Sequence, residues 1–285
     1  MTRAKTGKGT RKRPARGRPW RARLPRAVWL AIGLAIAAIA ILLPIYLPGL
    51  STAENPAGPR AAIVDQLYSV QPNPDFIEGV TAELEDYGLK VDLYQGDEVT
   101  VDVYRKLPAE GYELIIIRAH SGILALNGDE IERTVIFTNE PYRQLAYSRE
   151  QLRDRLGPAR VGEDHPLVFG IPPKFISESM DGRFDDTVII MMGCSGIYDT
   201  DLAAAFIGRG ASVYMAWSAS VHLGYVDDAT LYLVQQLCSE DTPIKRAVYN
   251  TMMEKGPDPK YEALLRYYPA AMGEKTLAQL TDTKP

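Results

Sequence analysis

"YELIIIRAHSG", residues 112–122, decides how this chain folds. An acidic lead-in is followed by an unbroken apolar run, and the run stops sharply at polar residues. Strands covered on both faces of a parallel sheet carry such continuous runs, whereas half-exposed antiparallel strands alternate. "DTVIIMMGCSG", residues 186–196, repeats the plan and also ends in Ser-Gly. The first stop contains His120 and the second Cys194. In open parallel sheets, ligands sit beyond the carboxyl ends of the strands. Two central strands therefore bring a histidine and a cysteine to one edge, about 4.8 Å apart if the strands are neighbours.

Working outward, "AAIVDQLYSV" (61–70) reads as a first strand. Asn73 and Pro74 open a helix with apolar residues at Phe76, Val80, Leu84 and Tyr87, and Gly88 stops it. "LKVDLYQG" (89–96) alternates as a second strand, and a short helix over 99–107 leads into the first quoted run. This βαβαβ order predicts an α/β fold with a mainly parallel central sheet covered on both faces. Residues 124–185 read as an insertion over the sheet edge, with a strand in "RTVIFTNEPY" and a helix in "YSREQLRDRLG" capped by Ser148. "HPLVFGIPPKFI" within it is apolar but broken by two prolines. After Cys194, Thr200 caps a helix that ends at Gly210. "ASVYMAWSAS" (211–220) is a fifth strand, and "DDATLYLVQQLC" and "PIKRAVYNTMMEKG" supply two more helices. No Walker loop, GxGxxG, CxxC pair or internal repeat occurs.

A thiol attacks only as the thiolate, so it needs a base or a lowered pKa. An imidazole supplies the base and later returns the proton to a leaving group. Gly122 and Gly193 let the backbone approach a reacting carbonyl, where N–H groups hold an oxyanion. A buried cysteine packed as a small hydrophobe is the plain alternative. Two matching strand ends favour the pair.

The order strand–His–Ser–Gly, then strand–Gly–Cys–Ser, resembles the caspase–gingipain clan of cysteine peptidases. That clan includes caspases, metacaspases, legumain, separase, clostripain, gingipains and CHAT domains. "DLAAAFIGRGASVYMAWSASV" after the cysteine is similar to the small-residue helix and strand found there. The likeness spans roughly residues 60–240, nearest in style to gingipain-like and CHAT members. It implies a caspase-like three-layer sandwich over residues 61–285, with His120 as general base or acid and Cys194 as nucleophile. The oxyanion hole would be backbone N–H groups near Gly122 and Cys194, and Trp217 and Ser218 would wall the first specificity pocket. Two positions depart from the pattern: Ser121 stands between the histidine and the glycine, and Met192 stands where metacaspases carry an acid.

Acids able to grip a basic substrate side chain are Asp199, Asp201, Asp227 and Glu140. Three of them have a plainer role: Asp199 flanks a helix N-terminus, which favours anions, Asp227 opens the next helix, and Glu140 occupies a turn. His165 and His222 read as surface or packing residues. No spacing suggests a zinc site, nothing supports calcium, and no cofactor is implied. The expected partner is a peptide or protein substrate, with no specific nucleic acid. A Cys–His amidotransferase would place the histidine later, and no G-x-S-x-G marks a serine hydrolase. A peptidase-like binding or sensing module without turnover is the alternative.

The chain has 285 residues, 46% of them hydrophobic, and a net charge of −4. Residues 1–26 carry eleven Lys or Arg and no carboxylate, which leaves the remainder at −15. Such a split points to two environments. "AVWLAIGLAIAAIAILLPIYLPGL" (27–50) separates them and is long enough to cross a bilayer as one helix. A cleaved signal peptide would have a shorter apolar region, though small residues follow. The basic tail (1–26) is then cytoplasmic by the positive-inside rule, and everything beyond the linker (51–60) is extracytoplasmic. Cys194 and Cys238 could close one disulfide. Their different settings, a glycine-flanked turn and a helix end, favour a free Cys194.

Overall fold

A computed structural model describes residues 58–125, 132–239 and 241–281. In chain order its elements are β1 (Arg60–Asp65), α1 (Pro74–Asp86), β2 (Lys90–Gln95), α2 (Val101–Lys106), β3 (Leu114–Arg118), β4 (Ser121–Ala125) and β5 (Glu132–Pro141). They continue with β6 (Gly157–Ala159), β7 (Val168–Ile171), α3 (Pro173–Ser179), β8 (Val188–Met191), α4 (Asp201–Gly208), β9 (Val213–Trp217), α5 (Leu223–Cys238), α6 (Ile244–Lys255) and β10 (Leu265–Tyr268). The basic tail, the apolar segment 27–50 and residues 51–57 of the linker lie outside the described residues, and the linker's last residue, Arg60, already belongs to β1. Among those described, no helix is long and apolar enough to cross a membrane.

The chain is a mixed α/β protein built on a mostly parallel sheet in the order β10-β9-β8-β3-β1-β2. Only β10 runs antiparallel within it, against β9. The two quoted runs are adjacent central strands, with Ile115 opposite Ile189 and Ile117 opposite Met191. Side-chain alternation divides the interior in two. Ala61, Ile63, Leu114, Ile116, Val188 and Ile190 face α1, α5 and α6. Ala62, Val64, Ile115, Ile117, Ile189 and Met191 face α2, α3 and α4. Both faces are covered, which is why these strands carry no polar alternation. The chain starts at β1, steps to β2 on one side, and then crosses to β3 on the other. The reversal between β1 and β3 is the switch point at which such sheets open a crevice.

Several expectations shift in detail. The first strand ends at Asp65, because Val70 and Gln71 donate back to the Leu67 carbonyl and close a turn. The fifth strand is confined to Val213–Trp217. The sheet-edge insertion is a second sheet in the order β4-β5-β7-β6. It begins at Ser121, directly after His120 rather than at 124. The helix expected in "YSREQLRDRLG" is one turn, Ser148–Gln151, with Tyr147 rather than Ser148 in the cap position. Leu152 there is exposed and Leu156 buried. The segment has no apolar stripe to pack, and short helices need one. α5 begins four residues before Asp227, which therefore lies inside the helix.

Candidate active site

β3 and β8 place the two chemistry-bearing residues by register alone. Ile117 pairs with Met191, and His120 and Cys194 each follow three residues later, just past the carboxyl ends of the strands. His120, Ser121, Gly122, Ile123, Phe137, Cys194, Ser195 and Ser220 are joined by Arg160 and Val161 in lining one cleft of about 340 Å³. The structure thus brings together His120, Gly122 and Cys194, three of the residues singled out in the sequence.

The Cys194 turn is held from several elements. Ser121 Oγ donates to the Cys194 carbonyl at 2.6 Å. Thr134 Oγ1 donates to the Ser195 carbonyl at 2.8 Å, and the Tyr214 hydroxyl to that of Gly196 at 2.9 Å. The Ser195 and Ile197 N–H groups donate to Ala219 and Trp217 carbonyls at 2.9 and 3.0 Å. Three consecutive carbonyls are therefore clamped by three hydroxyls. The clamp holds Ser195 at φ 55°, a left-handed conformation that costs a residue with a Cβ about 1–2 kcal/mol. Gly193 is needed for a different reason. A Cβ there would stand 2.2 Å from Ser121 Oγ and 2.6 Å from the Ala119 carbonyl. Ser121, Thr134 and Tyr214 had no signal in the sequence beyond being hydroxyl residues near strand ends.

His120 is held through its backbone. Its N–H donates to Gln66 Oε1 at 2.9 Å, and its carbonyl accepts from the Phe137 N–H at 2.9 Å. Gln66, at the end of β1, donates through Nε2 to Asn139 Oδ1 at 2.6 Å. Asn139 returns a bond to the Gln66 carbonyl and another to that of Gly96, both at 2.8 Å. The switch-point strands are thereby tied to β5 around the histidine. Antiparallel ladders alternate in their bonding. With Phe137 bonded to His120, the next bonded pair is Gly122 with Val135, so the Gly122 amide faces β5. The Ser121 amide faces the outer edge of β4, which is the terminal strand of its sheet.

Burial lowers the His120 pKa below the usual 6.5, and the positive charges of His165 and Arg118 lower it further. The imidazole is accordingly neutral at pH 7 and able to accept a proton. Cys194 Sγ accepts the Val221 N–H at 3.5 Å. No hydrogen bond joins it to His120. Both cysteines are free, and burial pushes the Cys238 thiol up to about 12.

The substrate-binding candidates fall elsewhere. Trp217 is buried in the core edge-on to Tyr225, with ring centroids 5.4 Å apart. Ser218 is paired with Leu264, both through its own N–H and through Oγ, which accepts the Leu264 N–H at 3.0 Å. Asp199 Oδ1 accepts the Asp201 N–H at the start of α4. Glu140 accepts from the Val101 N–H at the start of α2 and from the Tyr147 hydroxyl. Asp227 is engaged with Arg118, from which it accepts two bonds at 2.8 Å. None of these five lines the cleft. His165 is exposed, and the His222 N–H donates to Asp258. Among the described residues no group of three or more acidic, histidine or cysteine side chains is placed to hold a metal ion.

Comparison with known proteins adds no name to this geometry: no model of a protein family matches the chain, and no curated protein matches it.

Proposed function

We propose that this chain is a cysteine endopeptidase of caspase–gingipain type, with Cys194 as nucleophile and His120 as general base. It is anchored by residues 27–50, with the domain from residue 61 onward outside the cytoplasm. The observation that carries the reading is the shared cleft of His120 and Cys194 at the carboxyl ends of adjacent parallel strands.

In the reaction, His120 takes the Cys194 proton and the thiolate sulfur bonds to the scissile carbonyl carbon. The oxyanion formed is met by backbone N–H groups of Cys194 and of Ser121 at the β4 start, since the Gly122 amide implied by the resemblance is turned to Val135 of β5. Collapse breaks the C–N bond, and the imidazolium gives its proton to the leaving amine. Water, deprotonated by His120, then attacks the thioester and releases the acid with the free thiol. The clamp on residues 194–196 favours this chemistry, because preorganised donors need not reorganise during reaction.

A second reading is a peptidase-like binding module without turnover. The specific observation behind it is that the Cys194 thiol is bonded to Val221 and not to His120. Loose contacts between catalytic groups are common before substrate arrives, so the first reading is preferred.

The deciding experiment compares the full chain in detergent with its Cys194→Ala variant, against a mixed-sequence fluorogenic peptide library under reducing conditions. Cleavage by the parent alone is expected. No cleavage by either, together with a Cys194 inert to iodoacetamide at neutral pH, would leave the binding module standing.

A further inference from the structure

Among the described residues the charge of the cleft lining is one-sided: its ionisable groups are His120, Cys194 and Arg160, and no described carboxylate lines it. Arg160 lies just past β6, exposed at the rim. Its guanidinium meets only a backbone oxygen, that of Glu163 at 3.4 Å, and no carboxylate is in ion-pair reach of it among the described residues. Glu163 and Asp164 follow in the same loop, exposed and outside the lining. The acids that a basic substrate would need are occupied: Glu140 at α2 and by Tyr147, Asp199 at α4, Asp227 by Arg118. This stands out in a chain whose residues beyond 26 carry −15.

We infer that the cleft selects a substrate with a carboxylate or other anionic group beside the bond attacked, and that Arg160 is the residue that selects it. The inference rests on Cys194 being the nucleophile. A guanidinium suits the task, since it stays charged and presents paired donors to a carboxylate. Selection of a basic side chain, for which the sequence offers acidic candidates, has no counter-charge in the cleft among the described residues.

The test reads the potential at Cys194 without requiring turnover. The full chain is treated with the anionic sulfonatoethyl and the cationic trimethylammonioethyl methanethiosulfonate. Labelling of Cys194 is timed by peptide mass spectrometry against free cysteine and a neutral reagent. The anionic reagent is expected to be favoured over the cationic one, relative to free cysteine, by roughly threefold to tenfold at low salt, and less as salt screens the charge. Arg160→Glu should reverse the preference and Arg160→Ala should abolish it, each charged reagent's rate being divided by the neutral reagent's rate on the same variant, because the thiolate fraction shifts with the charge. Arg149→Glu, an exposed arginine outside the cleft, should leave it intact. A preference equal to that of free cysteine, or one indifferent to Arg160→Glu, overturns the inference and leaves the peptidase reading in place. So does cleavage after Lys or Arg at a rate unmoved by Arg160→Glu. A Cys194 inert to all reagents overturns the peptidase reading, and this inference falls with it.

Discussion

His120 shows how burial rather than a partner sets a proton affinity. Desolvation leads the lowering of its pKa, with His165 and Arg118 adding to it. As pH falls through 6.5, the unfolded chain takes up the proton before the folded one does. The native state therefore loses stability, fully holding this contribution above 6.5 and giving it up as pH drops toward the lower folded value. His120→Asn removes that dependence. Its Tm should fall less than the parent's between about pH 7.5 and about pH 5.5, a range spanning the ordinary histidine value. Equal falls in scanning calorimetry would mean that the fold does not resist protonation here. His120 and Cys194 were both legible in the sequence, because each ends an unbroken apolar run. The supports of His120, Gln66 and Asn139, were not. An amide that bonds a backbone N–H across strands reads locally as any polar residue near a turn.

At the level of elements, the strand-to-helix turn after β8 depends on β4 and β5 as much as on its own residues. Thr134 is 1% exposed and donates to the Ser195 carbonyl. Thr134→Val keeps the shape and leaves that carbonyl without its hydroxyl. Such a loss costs about 1–3 kcal/mol, to be read from denaturant midpoints at unchanged slope. Alkylation of Cys194 should also change rate, since the turn loses one of three clamps. A variant as stable as the parent would mean that the clamp is slack. The β3 and β8 runs were readable because burial on both faces removes polar residues. β10 was not, since "LRYY" is short, half exposed and paired antiparallel at the sheet edge. The insertion's second sheet was only half visible: β5 was seen, but β4 was hidden behind the histidine it follows. In both cases pairing with distant strands, not local pattern, makes the element.

For the molecule as a whole, one buried charge cluster ties the ends of the central strands to the helical layer on one face of the sheet. Arg118, fully buried at the end of β3, donates to Asp65 at the end of β1 and to Asp227 in α5. It also donates to the Gln71 carbonyl at 3.0 Å. Asn73, the cap of α1, donates to Asp227 Oδ2 at 2.8 Å. The sheet edge and the helical layer formed by α1 and α5 are thus fixed to each other around the switch point. The two aspartates are not equivalent. Asp227 accepts from Arg118 Nε and Nη2 and from Asn73. Asp65 accepts through Oδ1 from Arg118 and the Leu67 N–H, while its Oδ2 has no partner. Burial accordingly holds the Asp65 carboxyl above the usual carboxylate range, against the pull of Arg118. Asp227→Asn would set an amide N–H against the guanidinium or Asn73, donor facing donor, and remove most of the counter-charge. Breaking a buried pair in this way costs about 3–5 kcal/mol. Asp65→Asn can keep its accepting oxygen toward Arg118 and Leu67 and turn its new N–H₂ to the side where nothing is now bonded. Its loss should be smaller, about 1–3 kcal/mol. Chemical unfolding of both variants decides the ranking. If Asp65→Asn proves the more damaging, then Asp65, and not the helix-borne Asp227, holds Arg118 beneath the candidate active site.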